Sequence, residues 1–288
     1  MKTTSVYHGF AMQYEELSKE IVKRITAAAV VEKLYLLGLT TAYQRTETLF
    51  SVQSATRREV THYYLLVLIE KNDEHSLNSV QDKIEGSLQH FLPVTAIVFS
   101  YVHFSRWLSE GHPFAAAVYE KAFPLYQKDE VPLPFPATAN EEVIRKEADQ
   151  LYAQSSIRVQ EFLAGAELYR IRVQYKMAAF MLHQAAEQAL ITILKIITGL
   201  HLNTHSIDRL IRCCTLASDK FSAIFPRNND REERLFQLIQ KAYIGARYKE
   251  DYNINGEHLL KLTERVKALD KLMKEVCSNG LKLAGEFD

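Results

Sequence analysis

The chain has 288 residues, of which 47% are hydrophobic and 24% are charged. This length is typical of two domains, and the composition is that of a soluble globular protein. Lysine and arginine number 35 together, as do aspartate and glutamate, so the net charge is zero. We therefore expect no strongly basic surface for nucleic acid, although a zero net charge is compatible with a local basic patch.

Targeting and disulfide signals are weak. No apolar run approaches the roughly 18–20 residues that a membrane span needs, and the amino-terminal segment lacks the basic and apolar regions of a signal peptide. The three cysteines, Cys213, Cys214 and Cys277, give neither a disulfide framework nor a zinc-binding spacing. We therefore expect a cytoplasmic protein without a membrane partner.

Residues 1–127 alternate helical and extended patterns, which predicts a small α/β domain with a short mixed sheet. A helix begins the series, and "KLYLLG" predicts a short strand that Gly38 ends. "HYYLLVLIEK" predicts a second strand that is covered on both faces, because its apolar run is continuous. A helix that Ser76 could cap, a third strand, two short helices and the strand "PLYQ" follow.

Residues 128–140 form a proline-rich stretch between the two halves. Pro132, Pro134 and Pro136 alternate in it. Each proline fixes its own φ and biases the residue before it toward an extended conformation. We interpret this stretch as a short, stiff linker.

Residues 141–288 contain no strand pattern and predict an up-and-down bundle of about five helices. Asn140 is a candidate cap for the first helix, and the second runs from near Val173 to Gly199. The third is predicted over 205–221, and Asp230 opens the fourth. The fifth has the most regular apolar stripe: Leu259, Leu262, Val266, Leu269, Met273 and Val276.

A polar pair interrupts the apolar stripe of the second of these helices. His183 and Glu187 lie one turn apart on a face that is otherwise apolar, and Gln184 is next to them. A buried carboxylate costs several kcal/mol unless it is paired, so both side chains need partners. Two interpretations stay open: a structural pair that fixes the packing of the helix, or a pair that lines a functional cleft.

Catalytic signatures are absent from the sequence. It has no phosphate-binding GxxxxGK[ST] or GxGxxG, no HExxH, and no GxSxG. We therefore assign no catalytic residue, no metal site and no cofactor. Tyr243, Tyr248 and Tyr252, near the end of the fourth helix, offer faces on which bases could stack.

Three segments together resemble the HEPN family, the higher-eukaryote and prokaryote nucleotide-binding bundle. They are "AAFMLHQAAEQALITILKIITG", "HSIDRL" and "ARYKEDY", and the resemblance covers roughly residues 141–280. The family's HxxxE-like segment matches His183 and Glu187. The start of its third helix matches His205, Ile207 and Leu210, and its key arginine matches Arg247.

The resemblance implies a nucleotide or RNA ligand, a homodimer formed through the helical half, and a role in bacterial stress or defence. The ligand-binding residues that it implies are Arg247, Tyr248, Tyr252, His183, Glu187 and Gln184.

HEPN domains often accompany nucleotidyltransferase domains, and the first half looks like a degenerate copy of one. In the working enzymes a strand ends in Gly-Ser and the next strand opens with Asp-x-Asp, whose carboxylates hold Mg²⁺. Here Leu39 follows Gly38, and His62, Tyr63 and Tyr64 stand where the carboxylates belong. The resemblance therefore implies a nucleotidyltransferase-like fold without its metal site.

HEPN ribonucleases carry a histidine that is separated from the key arginine by four to six residues. This chain has Tyr252, Asn253 and Ile254 there, and ten residues separate Arg247 from His258. Tyrosine, with a pKa of about 10, is a poor general base near neutrality. The leading interpretation is a non-catalytic protein that binds a nucleotide, RNA or a partner. One alternative is a metal-independent ribonuclease that uses Arg247 and Tyr252, with Glu187 or His183 as a further candidate. The other is a purely structural dimerisation adaptor.

Overall fold

The computed structural model of the protein divides the chain into two compact units, Met1–Ala139 and Asn140–Asp288. The described residues are 15–46, 56–70, 77–128, 132–200, 202–216, 218 and 220–279. The predicted cap Ser76 and residues 129–131 of the predicted linker lie outside the described residues.

The first unit contains a four-stranded mixed sheet. Its strands are β1 (Val31–Thr46), β2 (Thr56–Ile69), β3 (Val94–Ser100) and β4 (Phe123–Gln127), in the order β3-β2-β1-β4. β2 is parallel to β3, whereas β1 is antiparallel to both β2 and β4. The prediction of a short mixed sheet with helices is thus confirmed.

Helices cover both faces of this sheet. α1 (Glu15–Ala28) and α2 (Leu77–Leu88) bury their apolar stripes against one face. On the other side, Tyr35 lies close to Tyr101 of α3 (Tyr101–Ser109) and Tyr119 of α4 (Pro113–Lys121). Every residue from 63 to 69 is buried, so β2 is a doubly covered strand, as its continuous apolar run predicts.

The predicted end of the first strand at Gly38 is wrong. β1 continues to Thr46, because its pairing with β2 resumes after a register shift between Leu36 and Gly38. A bulge of this kind absorbs a residue without ending the ladder. The β-branched residues that follow, Thr40 and Thr41, favour the extended conformation.

The second unit is a helical bundle. Its helices are α5 (Glu141–Ile171), α6 (Tyr175–Thr198), α7 (Ile207–Thr215), the short α8 (Lys220–Ile224), α9 (Asp230–Tyr248) and α10 (Gly256–Asn279). α6 is central and packs against α5, α7, α9 and α10. Asn140 caps α5 through Val143 N, and Gly199 ends α6 in a left-handed conformation, as predicted. All six residues of the predicted α10 stripe are buried.

Two helix boundaries differ from the prediction. The third helix does not reach residue 221, because α7 ends at Thr215 and the chain turns before α8. Ser218 Oγ there accepts a hydrogen bond from Lys220 N, which is how serine competes with helical bonding. The cap of α9 is Asn229, whose side chain accepts from Glu232 N at 3.0 Å, rather than Asp230.

The expectation that no apolar run is long enough to cross a membrane needs correction. In the described part of the chain, α6 passes that test by length and composition, and 61% of its most apolar window is buried inside the protein. A helix that packs against four neighbours must be apolar on most of its sides. Its position in the bundle therefore accounts for its composition.

Candidate functional site

A cluster of polar and aromatic side chains lies where α6, the segment before α7 and α9 meet. Its centre is a carboxylate–imidazole contact between Glu187 on α6 and His205, which comes just before the α7 cap Ser206. His205 Nδ1 lies 3.0 Å from Glu187 Oε1 and 3.2 Å from Oε2. The Glu187 side chain is 13% exposed and that of His205 is 51% exposed. The pair therefore joins a mostly buried acid to an accessible imidazole.

His183 lies beneath this pair and is completely buried. Its Nε2 is 3.1 Å from the carbonyl oxygen of His205. Since a carbonyl only accepts, Nε2 must carry the hydrogen. Burial lowers the pKa of His183 to about 4, and the nearby His205 and Arg247 lower it further, against the effect of the carbonyl bond. His183 is therefore neutral near pH 7, so its 3.5 Å contact with Glu187 is not an ion pair.

Gln184 connects His183 to Glu187. Its Nε2 lies 3.3 Å from His183 Nδ1 and 3.3 Å from Glu187 Oε2. Both of these atoms accept, so a single amide group with its two hydrogens satisfies both. Burial raises the pKa of Glu187, while the hydrogen bonds from His205 and Gln184 oppose that rise.

Tyr243 on α9 forms the aromatic floor of the cluster. The His205 ring stacks on it with centroids 3.9 Å apart, and the Arg247 guanidinium carbon is 4.2 Å from the same centroid. The imidazole and the guanidinium are therefore no more than about 8 Å apart. One nucleotide is large enough to contact both groups across such a gap.

Arg247 is exposed and held by aromatic contacts. Its guanidinium also lies 5.1 Å from the Phe180 ring and 4.8 Å from the Tyr248 ring. Its Nε donates to the carbonyl of Tyr243 at 2.7 Å. Within the described part of the chain it makes no ion pair, although Glu250 and Asp251 follow it closely. The Nη groups therefore face no carboxylate there.

Tyr248 and Tyr252, which the sequence placed together in the site, have different environments. Tyr248 is 73% exposed beside Arg247, whereas Tyr252 is buried. The hydroxyl of Tyr252 donates to Leu238 O at 2.9 Å, and burial raises its pKa. Its ring packs so closely on Gly245 that a Cβ there would lie 2.7 Å from Tyr252 Cδ2. Tyr252 therefore packs α9 against the following segment and is neither a stacking face nor a base.

The match to a known protein family falls on this part of the molecule. Residues 158–278 match the family model of the HEPN domain. The matched HEPN region runs from within α5 into α10 and includes every residue of the cluster. No curated protein matches the chain.

Two residues of the cluster, His205 and Tyr243, are not among the site residues that the sequence predicts. The sequence indicates His205 only as part of a helix-opening motif and Tyr243 only as a stacking face. The sequence does carry a signal for His205, since it directly precedes Ser206, whose side chain caps α7 through Arg209 N. A residue before a helix cap is fixed in space, which suits a functional side chain.

The chemistry that the cluster can perform is proton transfer and anion binding. It combines an exposed imidazole that is backed by a carboxylate with an arginine that presents free Nη groups. The guanidinium Nη groups can donate hydrogen bonds to a phosphate. Among the described residues, no group of three or more histidine, cysteine, aspartate or glutamate side chains could hold a metal ion.

Proposed function

We propose that the helical unit binds a nucleotide or RNA through one phosphate held by Arg247, with His205 Nε2 beside it to accept a hydrogen bond from a ribose hydroxyl. The observation that carries this proposal is the Arg247 guanidinium, which aromatic rings and one Nε hydrogen bond hold in place while its Nη groups face no acid in the described chain. A guanidinium pre-organised in this way loses little side-chain entropy when an anion binds. The HEPN match supports a ligand of this class.

The exposed ring of Tyr248 supports a base next to that phosphate. It lies beside Arg247, and an exposed aromatic ring gains roughly 1–3 kcal/mol from a stacked base. With a net charge of zero, the chain has no general attraction for polyanions. Affinity should therefore come from this local arrangement.

A second candidate function is metal-independent cleavage of RNA, and the Glu187–His205 contact favours it. His205 Nε2 would take the proton of a ribose 2′-hydroxyl, and the 2′-oxygen would then attack the adjacent phosphorus. The P–O2′ bond forms, the P–O5′ bond breaks, and the leaving 5′-oxygen takes a proton from solvent. Arg247 would stabilise the charge that develops on the phosphate. This arrangement replaces the Arg247–Tyr252 pair, which the burial of Tyr252 disfavours.

One experiment tests both candidates. The full chain is mixed with a fluorescent single-stranded RNA in EDTA, and binding and cleavage are measured. Arg247→Ala should weaken binding at least tenfold, whereas Arg234→Ala, an exposed arginine on the same helix, should not. The melting temperature of Arg247→Ala should fall by only about 2–4 °C, since the guanidinium is exposed and its packing on the aromatic rings stabilises the fold by about 1 kcal/mol.

The outcomes separate the candidates. If the wild-type chain cleaves the RNA, His205→Ala should reduce the rate 10²–10⁴-fold, the usual contribution of a general base, and His258→Ala should not. Tight binding without cleavage would leave only the binding function. An Arg247→Ala chain that binds as well as the wild type, or that melts more than about 10 °C lower, would overturn the proposal and make Arg247 a structural residue.

We also propose that the first unit is a nucleotidyltransferase-like domain that has lost its metal site. The mixed sheet with helices on both faces supports the comparison. β2 begins at Thr56 rather than at the predicted His62, so His62, Tyr63 and Tyr64 lie in its middle. They replace the carboxylates that the working enzymes carry on the corresponding strand. His62 Nε2 contacts Thr95 Oγ1 at 2.8 Å, and Tyr63 and Tyr64 are buried. These side chains offer none of the hard oxygen anions that Mg²⁺ prefers.

A further inference from the structure

Four residues of the cluster form a closed ring of hydrogen bonds. The carbonyl of His205 is bonded to His183 Nε2, and His183 Nδ1 is bonded to Gln184. Gln184 is bonded to Glu187, and Glu187 is bonded back to His205 Nδ1. The ring begins and ends on one residue, so it holds both the backbone and the side chain of His205.

The direction of each bond follows from the first one. A carbonyl only accepts, so His183 donates from Nε2 and, being neutral and buried, has only a lone pair at Nδ1. Gln184 must therefore turn its NH₂ group toward His183. The second hydrogen of that group goes to Glu187.

The last bond decides the state of His205. An ionised carboxylate only accepts, so Glu187 takes a hydrogen from Gln184 and another from His205 Nδ1. A neutral His205 then carries its proton on Nδ1 and a lone pair on Nε2. No hydrogen bond to Nε2 occurs within the described chain, and the side chain is half exposed.

We infer that His183, Gln184 and Glu187 are positioning residues that hold His205 in its Nδ1–H tautomer, so that Nε2 is the atom that accepts a proton or hydrogen bond from the ligand. The role of Nε2 toward a ligand rests on the proposed function, but the tautomer itself is a property of the free protein. The hydrogen-bonding partner of one ring nitrogen sets which nitrogen carries the proton. His205 Nε2 is thus prepared before a ligand arrives.

The test is an NMR measurement on the full chain labelled with ¹⁵N-histidine, near pH 7.5. Two-bond ¹H–¹⁵N correlations distinguish a protonated from an unprotonated ring nitrogen, and His205→Asn assigns the signal. In the wild type, nearly all of His205 should be Nδ1–H. Glu187→Ala should turn this into a minority form, because free imidazole in water prefers the Nε2–H tautomer.

A conservative variant separates positioning from folding. Glu187→Gln keeps a carbonyl oxygen that can accept from Nδ1, so it should retain the Nδ1–H form even though it removes the charge. His258, which lies on α10 outside the cluster, should show the same tautomer in every variant.

Two results would overturn the inference: a wild-type His205 that is mainly Nε2–H, or a Glu187→Ala chain with an unchanged His205 signal. The RNA experiment remains independent of it. The expected tautomers without RNA binding would reject the proposed function alone, and RNA cleavage with the wrong tautomer would reject the inference alone.

Discussion

His183 shows how one buried side chain makes stability depend on pH. Its pKa falls from 6.5 to about 4 on folding, mainly because burial disfavours the charged ring. Between these values the unfolded chain binds a proton that the folded chain does not, so stability falls as pH falls. Glu187 acts in the opposite sense, because its pKa is raised and protonation then favours the folded state.

We expect His183→Gln to remove this dependence. Between pH 6.5 and 5, the wild-type chain should lose on the order of 2 kcal/mol more unfolding free energy than the variant. Urea unfolding at both pH values measures the difference, and any loss of packing in the variant cancels because it does not change with pH. Equal losses in the two chains would mean that His183 titrates normally.

Arg247 and Tyr252 are both predicted from the sequence to bind a ligand, but they have different environments in the structure. Both belong to one polar segment at the end of α9, yet one is exposed and the other is buried. Tyr252 hydrogen-bonds to Leu238 O across that helix end. We therefore expect replacement of Tyr252 to lower stability, and replacement of Arg247 to change binding more than stability.

At the scale of elements, the turn between α5 and α6 contains a strained residue. Val173 has a φ of 59°, and it is the one residue other than glycine with a positive φ in the described chain. Gln174 N bonds to Tyr169 O at 2.8 Å across this turn, which closes the end of α5. This is the position where helices usually place glycine, since a β-branched side chain is disfavoured there.

Val173→Gly should therefore stabilise the protein. The change removes about 1–2 kcal/mol of left-handed strain, and the greater entropy of the unfolded chain offsets less than that. Little packing is lost, because Val173 is 68% exposed. The melting temperature should rise by about 2–4 °C. Val173→Asn, which tolerates the same conformation, should give part of the gain. A lower melting temperature for the glycine variant would show that the turn needs its side chain.

For the molecule as a whole, the two units differ in the chemical groups that they present. The second has a cluster that combines a carboxylate, an imidazole and a guanidinium, whereas the middle of β2 in the first carries His62 and two buried tyrosines. The net charge of the whole chain is zero, so the chain as a whole has no excess charge that would attract a polyanion.

We expect no nucleotidyl transfer by the first unit. The full chain incubated with Mg²⁺ and labelled triphosphates should produce no modified acceptor, because two buried tyrosines cannot hold the metal. Glu32 is the acid to examine if transfer occurs, since it is buried on β1 beside Lys128. Turnover that Glu32→Gln abolishes would show that the unit has a different metal site.

Local features of the fold can be predicted from the sequence alone. The spacing of apolar residues placed the helices of the second unit, and the caps Asn140 and Gly199 were predicted correctly. It also placed His183 and Glu187 on one face, since residues four apart in a helix are neighbours. These features depend on residues close together in the chain, so periodicity and propensity are sufficient to find them.

The composition of the cluster depends on contacts between distant segments. His205 and Tyr243 meet Glu187 and His183 from segments far apart in sequence, and no periodicity relates them. Packing within the second unit buries Tyr252, and pairing with β2 within the first unit extends β1 past Gly38, whereas the local patterns predict an accessible tyrosine and a strand end. Contacts between distant segments depend on how whole elements pack, and a window of neighbouring residues does not contain that information.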